Sequence, residues 1–182
     1  DLDLVIILGD LVNDKTQYLE GCVQSLDSLR CSWICVPGNH DRDMYKMSLS
    51  NVPGYHRLGR PRDLDTFQGI VGPADTTFTL AGVKFICLND VMTVETNDYK
   101  GALSTEQKIK LERELASTSI GSPVVICTHI PLAECEGGLL QMIRGYDNVL
   151  LVSGHTHKVT RTRDNLIAGA TCGSWWRGVK DA

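Results

Sequence analysis

Four times in this chain a short run of apolar residues stops abruptly in a cluster of Gly, Asp, Asn or His, and this repetition restricts the fold more than any other feature. Leu4–Leu8 ends in Gly9-Asp10, and Ser32–Pro37 ends in Gly38-Asn39-His40-Asp41. Pro123–Cys127 ends in Thr128-His129, and Val149–Val152 ends in Ser153-Gly154-His155-Thr156-His157. Short continuous β-branched runs read as buried strands, apolar on both faces. Helical patterns lie between them. Leu19, Cys22, Val23, Leu26 and Leu29 form one stripe over residues 15–30. Ser104-Thr105-Glu106-Gln107 has capping-box spacing and opens a helix through about Leu115. Gly138 to Ile143 predicts a third, short helix. Strands alternating with helices imply a largely parallel sheet.

The middle of the chain has a different texture. Thr77–Leu80 alternates, Ala81-Gly82 turns, and Val83–Leu88 returns, which predicts a β-hairpin. Leu166 to Thr171 reads as a further strand. Residues 42–72 hold Pro53, Gly54, Gly59, Pro61, Gly69 and Gly72 and read mostly as loop, a length that often marks function. The expected class is therefore α/β: two packed mixed β-sheets flanked by helices, an αββα sandwich. With 182 residues the chain suits one domain, residues 1–182. It begins at Asp1 without Met, directly before Leu4–Leu8, and it ends soon after Trp175-Trp176. Both ends read as cut, and a first strand is expected to be missing upstream. No apolar run reaches the roughly 18 residues of a membrane helix.

Of the chain's 5 histidines, all but His56 lie in the polar clusters. Open α/β sheets bind ligands just beyond the carboxyl ends of their strands, where these clusters stand. In an extended segment residues two apart point to one side, so His155 and His157 can share a site. Asp offers a charged oxygen, Asn an amide oxygen and His a neutral nitrogen. Mixed N/O ligation without thiolate suits Mn²⁺, Fe or Zn²⁺. A carboxylate at a strand end can bridge two ions about 3.5–4 Å apart.

Taken in order, Gly9-Asp10, Gly38-Asn39-His40-Asp41, His129 and Gly154-His155-Thr156-His157 resemble the motifs of the calcineurin-like metallophosphoesterase superfamily. Gly173-Ser174-Trp175-Trp176 is similar to the end of the catalytic domain in a bacterial branch that carries further domains on both sides. The resemblance implies metal-dependent hydrolysis of a small phosphate ester by a hydroxide held between two divalent ions; the same site type serves diesters and monoesters, and the diester is the favoured expectation. Asp10 would bridge the ions. Asn39, His129 and His155 would hold one, and His157 would help hold the other. His40 would serve as general acid at the leaving oxygen, oriented by Asp41. The superfamily pattern opens with an Asp-x-His, and none occurs in residues 1–182. The ion site shared by His157 is therefore expected to be incomplete in this chain.

Other residues carry two readings each. Arg42, Arg57, Arg60 and Arg62 either meet substrate phosphate or are solvated loop charges. Asn13 and Asp14 orient Asp10 or cap the following helix. Trp175 and Trp176 stack on a base or sugar, or pack against another domain. Cys31-x-x-x-Cys35 has no second pair to complete a zinc site, and Cys35, Cys87 and Cys127 sit in apolar runs as small hydrophobes. Unpaired cysteines lean towards a reducing, cytoplasmic compartment, while a removed signal would place the chain outside it. A net charge of −4 gives no field for nonspecific nucleic-acid binding. The alternative to an enzyme is a binding scaffold that keeps the fold and has lost catalysis.

Overall fold

The computed structural model describes residues 2–43, 63–95 and 98–171. Strands β1 (Leu4–Ile7) and β2 (Ser32–Cys35) lie parallel, with Ile6 opposite Ile34. A 3₁₀ turn (Thr16–Tyr18) and helix α1 (Leu19–Asp27) connect them. Helix α2 (Asp65–Ile70) precedes β3 (Thr76–Leu80) and β4 (Val83–Cys87), which pair antiparallel. Their turn has φ 50° at Ala81 and 81° at Gly82, as a two-residue hairpin of matching twist needs. β5 (Val91–Glu95) and β6 (Asp98–Gly101) form a separate hairpin. Helix α3 (Thr105–Ala116), β7 (Val124–Cys127), helix α4 (Leu139–Ile143), β8 (Val149–Ser153), β9 (Thr160–Arg161) and β10 (Asn165–Ile167) follow. The large sheet runs β3-β4-β7-β8-β10-β9. Its four inner strands are mutually parallel and its outermost pairs antiparallel.

Side-chain alternation sets the layers. From β4, β7 and β8, Ile86, Val124, Ile126 and Val149 face α3 and α4 and meet Leu111, Leu115 and Leu139. Cys87, Val125, Cys127 and Val152 face the other way and meet Ile6, Leu8, Ile34 and Val36 of the small sheet. Val12, Leu19, Leu64, Phe67 and Ala74 then cover the outer face of the small sheet beneath α1 and α2. Helices, sheet, sheet and helices follow in that order, so the expected class is observed. The capping box is present as well. The Gln107 amide N–H donates to Ser104 Oγ at 3.2 Å, and the Ser104 N–H donates to Gln107 Oε1 at 2.9 Å.

Four expectations need correction. The helix expected over 15–30 spans only Leu19–Asp27, and Leu29 is exposed. Residues 42–72 are not all loop, because Phe67 is buried in α2 and anchors it between Leu19 and Ala74. β1 and β2 are half-buried rather than fully buried, although both faces are covered, because among the described residues no further strand flanks this two-stranded sheet. Arg42 is neither a solvated charge nor free for substrate. Its guanidinium is buried, donating to Asp63 Oδ2 at 2.6 and 3.0 Å and to Asn89 Oδ1 at 3.2 Å. Arg57, Arg60, Arg62, His56, Trp175 and Trp176 lie outside the described residues. Within those residues no helix is long and apolar enough to cross a membrane.

Candidate metal centre

Each polar cluster leaves the carboxyl end of its strand: Asp10 after β1, Asn39 and His40 after β2, His129 after β7, His155 after β8. The two facing sheets bring these ends to one place. The His129 ring lies 2.6 Å, through Nδ1, from the Leu8 carbonyl oxygen, which can only accept. Nδ1 therefore carries the proton, and Nε2 presents a bare lone pair. That Nε2 lies 2.9 Å from Asn39 Oδ1 and 3.1 Å from His155 Nδ1. His155 Nδ1 is in turn 3.1 Å from Asn39 Oδ1. Asp10 Oδ2 is 3.5 Å from His129 Nε2.

These atoms cannot satisfy one another. Asn39 Oδ1 and His129 Nε2 both lack a proton, and a proton on His155 Nδ1 serves only one of them well. A cation serves all. Neighbouring ligands on one ion, at bonds of about 2.1 Å and right angles, stand about 3 Å apart. The triangle matches that spacing, so this donor set fits a first-row divalent ion. Burial holds the imidazoles of His129 and His155 below the ordinary histidine range, with Asp10 opposing the shift in each. They are neutral near pH 7, the form that ligates. The positive charge that His157 can carry adds to the lowering of both, which puts it in electrostatic reach. No three His, Cys, Asp or Glu side chains among the described residues form a complete cation-holding group. The convergence depends on the amide of Asn39, and it defines one ion position rather than two.

Backbone strain marks the same residues. Asp10 (φ 58°), His155 (φ 64°) and His157 (φ 56°) occupy the left-handed region, which costs a non-glycine residue about 1–2 kcal/mol. The segment 154–157 is thus not extended, and alternation along a strand is not what brings His155 to the centre. Gly9 explains how the loops come so close. Its φ is 89°, and a Cβ there would sit 2.5 Å from His129 Nδ1 and 2.7 Å from the Gly38 backbone. Gly9→Ala is expected to cost about 2–4 kcal/mol from strain and overpacking combined. Thermal unfolding followed by circular dichroism should show a Tm lower by about 5–15 °C; an unchanged Tm would contradict this packing.

Asp41 does not orient His40. It is fully buried, and its carboxylate accepts the amide N–H groups of Asp10 (2.7 Å), Gly38 (2.9 Å) and Val12 (3.1 Å). It ties the Gly9-Asp10 loop to the Asn39-His40 loop. Burial still lifts its carboxyl to about 6. The partner of His40 is Asp14, whose Oδ1 lies 2.6 Å from His40 Nδ1. The Asp14 N–H also donates to the His40 carbonyl at 3.1 Å. Neither reading of Asp14 from sequence, orienting Asp10 or capping the helix, anticipates this.

Asp90 is a residue of the centre that the sequence reading does not single out. It is fully buried and accepts the N–H groups of His129 (3.0 Å) and Ile130 (3.1 and 3.2 Å), fixing the ligand loop. A signal exists: Val83–Leu88 ends in Asn89-Asp90, a fifth apolar run with a polar stop. Burial pushes the Asp90 carboxyl up to about 7, against the opposing hydrogen bonds. The native state therefore binds a proton that the unfolded chain, near about 3.9, has released. Stability contributed this way is fully present below about pH 4 and is lost as pH rises through about 7. The Tm of Asp90→Asn minus that of the parent should grow from about pH 5 to about pH 7 and level off above it. Parallel pH curves for the two proteins would refute the burial of this charge.

Nitrogen and oxygen donors thus converge where strands of two facing sheets end, an arrangement that suits a divalent ion. A family model for calcineurin-like phosphoesterases matches residues 1–159, and the chain belongs to that family. No curated protein matches it closely enough to count as a relative. Membership makes it a metal-dependent phosphoester hydrolase in the general sense; the family is typically binuclear.

Proposed function

We propose that the chain, residues 1–182, is a single catalytic domain that hydrolyses small phosphodiesters in preference to monoesters. The observation that carries the reading is the triangle of Asn39 Oδ1, His129 Nε2 and His155 Nδ1, with sides of 2.9, 3.1 and 3.1 Å and Asp10 beside it. In this proposal Asn39, His129 and His155 hold one divalent ion, Asp10 lies between it and a second, and His157 serves the second. When bound, the ions neutralise charge on the phosphoryl oxygens and acidify a water.

The remaining work falls to side chains. His40 stands at the rim with its side chain 36% exposed, open to a ligand in a way that buried His129 is not. With Nδ1 held by Asp14, its Nε2 is free to give a proton to the departing oxygen. Asp14 stabilises the imidazolium and fixes the ring. Asp41 and Asp90 do no proton transfer in this scheme; they hold the loops that carry Asp10, Asn39 and His129. An alkoxide is a poorer leaving group than an aryl oxide, so a positioned proton donor matters most for alkyl diesters.

The test is turnover of aryl mono- and diesters with added Mn²⁺, Zn²⁺ or Fe²⁺. Metal-dependent hydrolysis, faster on the diester, is expected. Faster monoester turnover would reverse the substrate assignment. The lack of a complete His, Cys, Asp or Glu group among the described residues favours one competing reading, a scaffold that binds an ion without turnover. Stoichiometric metal with no hydrolysis of any ester would select it.

A further inference from the structure

The small hairpin of β5 and β6 belongs to neither of the two packed sheets, yet its base is fastened to the ligand loop. The Ala102 N–H donates to the Asp90 carbonyl at 2.8 Å, and the Glu136 N–H donates to the Gly101 carbonyl at 2.7 Å. Gly101 leaves no room for a side chain: a Cβ there would stand 2.8 Å from Cys135 Sγ and 3.1 Å from Ile130. This clamp fixes the direction in which β6 leaves the loop, and Tyr99 lies two residues from it.

The Tyr99 ring meets the His155 ring edge to face, with centroids 6.0 Å apart and planes at 89°. His155 meets His129 the same way, at 5.0 Å and 70°. Tyr99 is therefore the third ring of a series that begins at the proposed ion position. The Tyr99 hydroxyl, of a kind that ordinarily titrates near about 10, is protonated at neutral pH. Among the described residues it has no hydrogen-bond partner, whereas the buried carboxylates nearby are fully engaged. A half-buried donor with no acceptor among the described residues, beside the proposed ion position, is suited to an acceptor that arrives with the ligand.

We infer that Tyr99 is a substrate-binding residue, its hydroxyl donating a hydrogen bond to a non-bridging oxygen of the phosphoryl group. The inference rests on the phosphoesterase reading and adds a residue that none of the polar clusters contains. The hairpin then serves to carry one neutral donor to the side of the site formed by His155. Because the hydroxyl contributes no charge, it leaves the affinity for the ion unchanged and acts on the bound ester alone.

Tyr99→Phe separates this role from packing, since the ring and its contact with His155 remain. Full-length parent and variant are loaded with Mn²⁺, and metal per chain is measured. Turnover of a bis-aryl phosphodiester is then followed, with inorganic phosphate as competitive inhibitor. The expected result is unchanged Mn²⁺ content, a kcat/KM lower by about 10- to 100-fold, and a weaker inhibition constant for phosphate. A variant within about twofold of the parent in both readouts overturns the inference. So does a variant that loses Mn²⁺ together with activity, because Tyr99 would then act through His155. If the parent itself turns over no ester, phosphate binding to the Mn²⁺-loaded parent and variant, measured by calorimetry, still decides the matter. Equal affinities refute the role of Tyr99, and a weaker variant supports it even where the hydrolase reading has failed.

Discussion

His129→Ala is expected to remove the divalent ion and to bring phosphoesterase turnover down to background. No other single side chain is tied to so much of the centre. Its Nε2 stands 2.9 Å from Asn39 Oδ1 and 3.1 Å from His155 Nδ1, and its Nδ1–H is given to Leu8 of the opposite sheet. Partners that merely support a ligand change metal affinity by about 10- to 100-fold. Loss of the ligand itself should exceed that range. The buried Leu8 carbonyl would also lose its donor, at about 1–3 kcal/mol. Metal per chain by elemental analysis and Mn²⁺ titration calorimetry provide the readouts. Circular dichroism of the metal-free forms checks that the variant still folds. A folded variant with parental metal content would remove His129 from the centre.

The strands are legible in the sequence because apolar runs bounded by polar stops are a local signal, and the layers follow from alternation within them. The chemistry-bearing residues are legible for the same reason: they sit at the stops. What escapes is set by contacts distant in sequence. α2 is held by Phe67, whose partners Leu19 and Val12 lie far up the chain. The resemblance suggests one role for Asp41 and the sequence two for Asp14, yet their contacts depend on which loop crosses them. Asp41 reaches back to Asp10 and Val12, and Asp14 reaches forward to His40. The left-handed backbone at His155 and His157 cannot be inferred from residue type, because histidine, though enriched in that region, adopts it in only a small minority of cases. Such strain persists where surrounding structure over-determines it, as the adjacent strand β8 and the Gly154 N–H bond to the His129 carbonyl at 2.9 Å do here.

His40→Ala should lower kcat by about 10²- to 10⁴-fold and leave metal content intact. The distinction from His129 is geometric. His40 lies one residue from Asn39, but its ring is turned away to Asp14, and its side chain is 36% exposed. It makes none of the close contacts that define the Asn39, His129 and His155 triangle. What its loop gives to the centre is a backbone group: the His40 N–H donates to Asp10 Oδ1 at 3.0 Å, and an alanine retains it. The deficit should therefore appear in kcat and should shrink for esters whose leaving group needs no proton. An aryl diester with a strongly electron-withdrawing ring should lose less than one with an alkyl leaving group. Asp14→Asn should follow the same order with smaller losses, since it keeps the ring in place but withdraws the charge that supports the imidazolium. Equal losses across all leaving groups would show that His40 positions the substrate and does not protonate the departing oxygen.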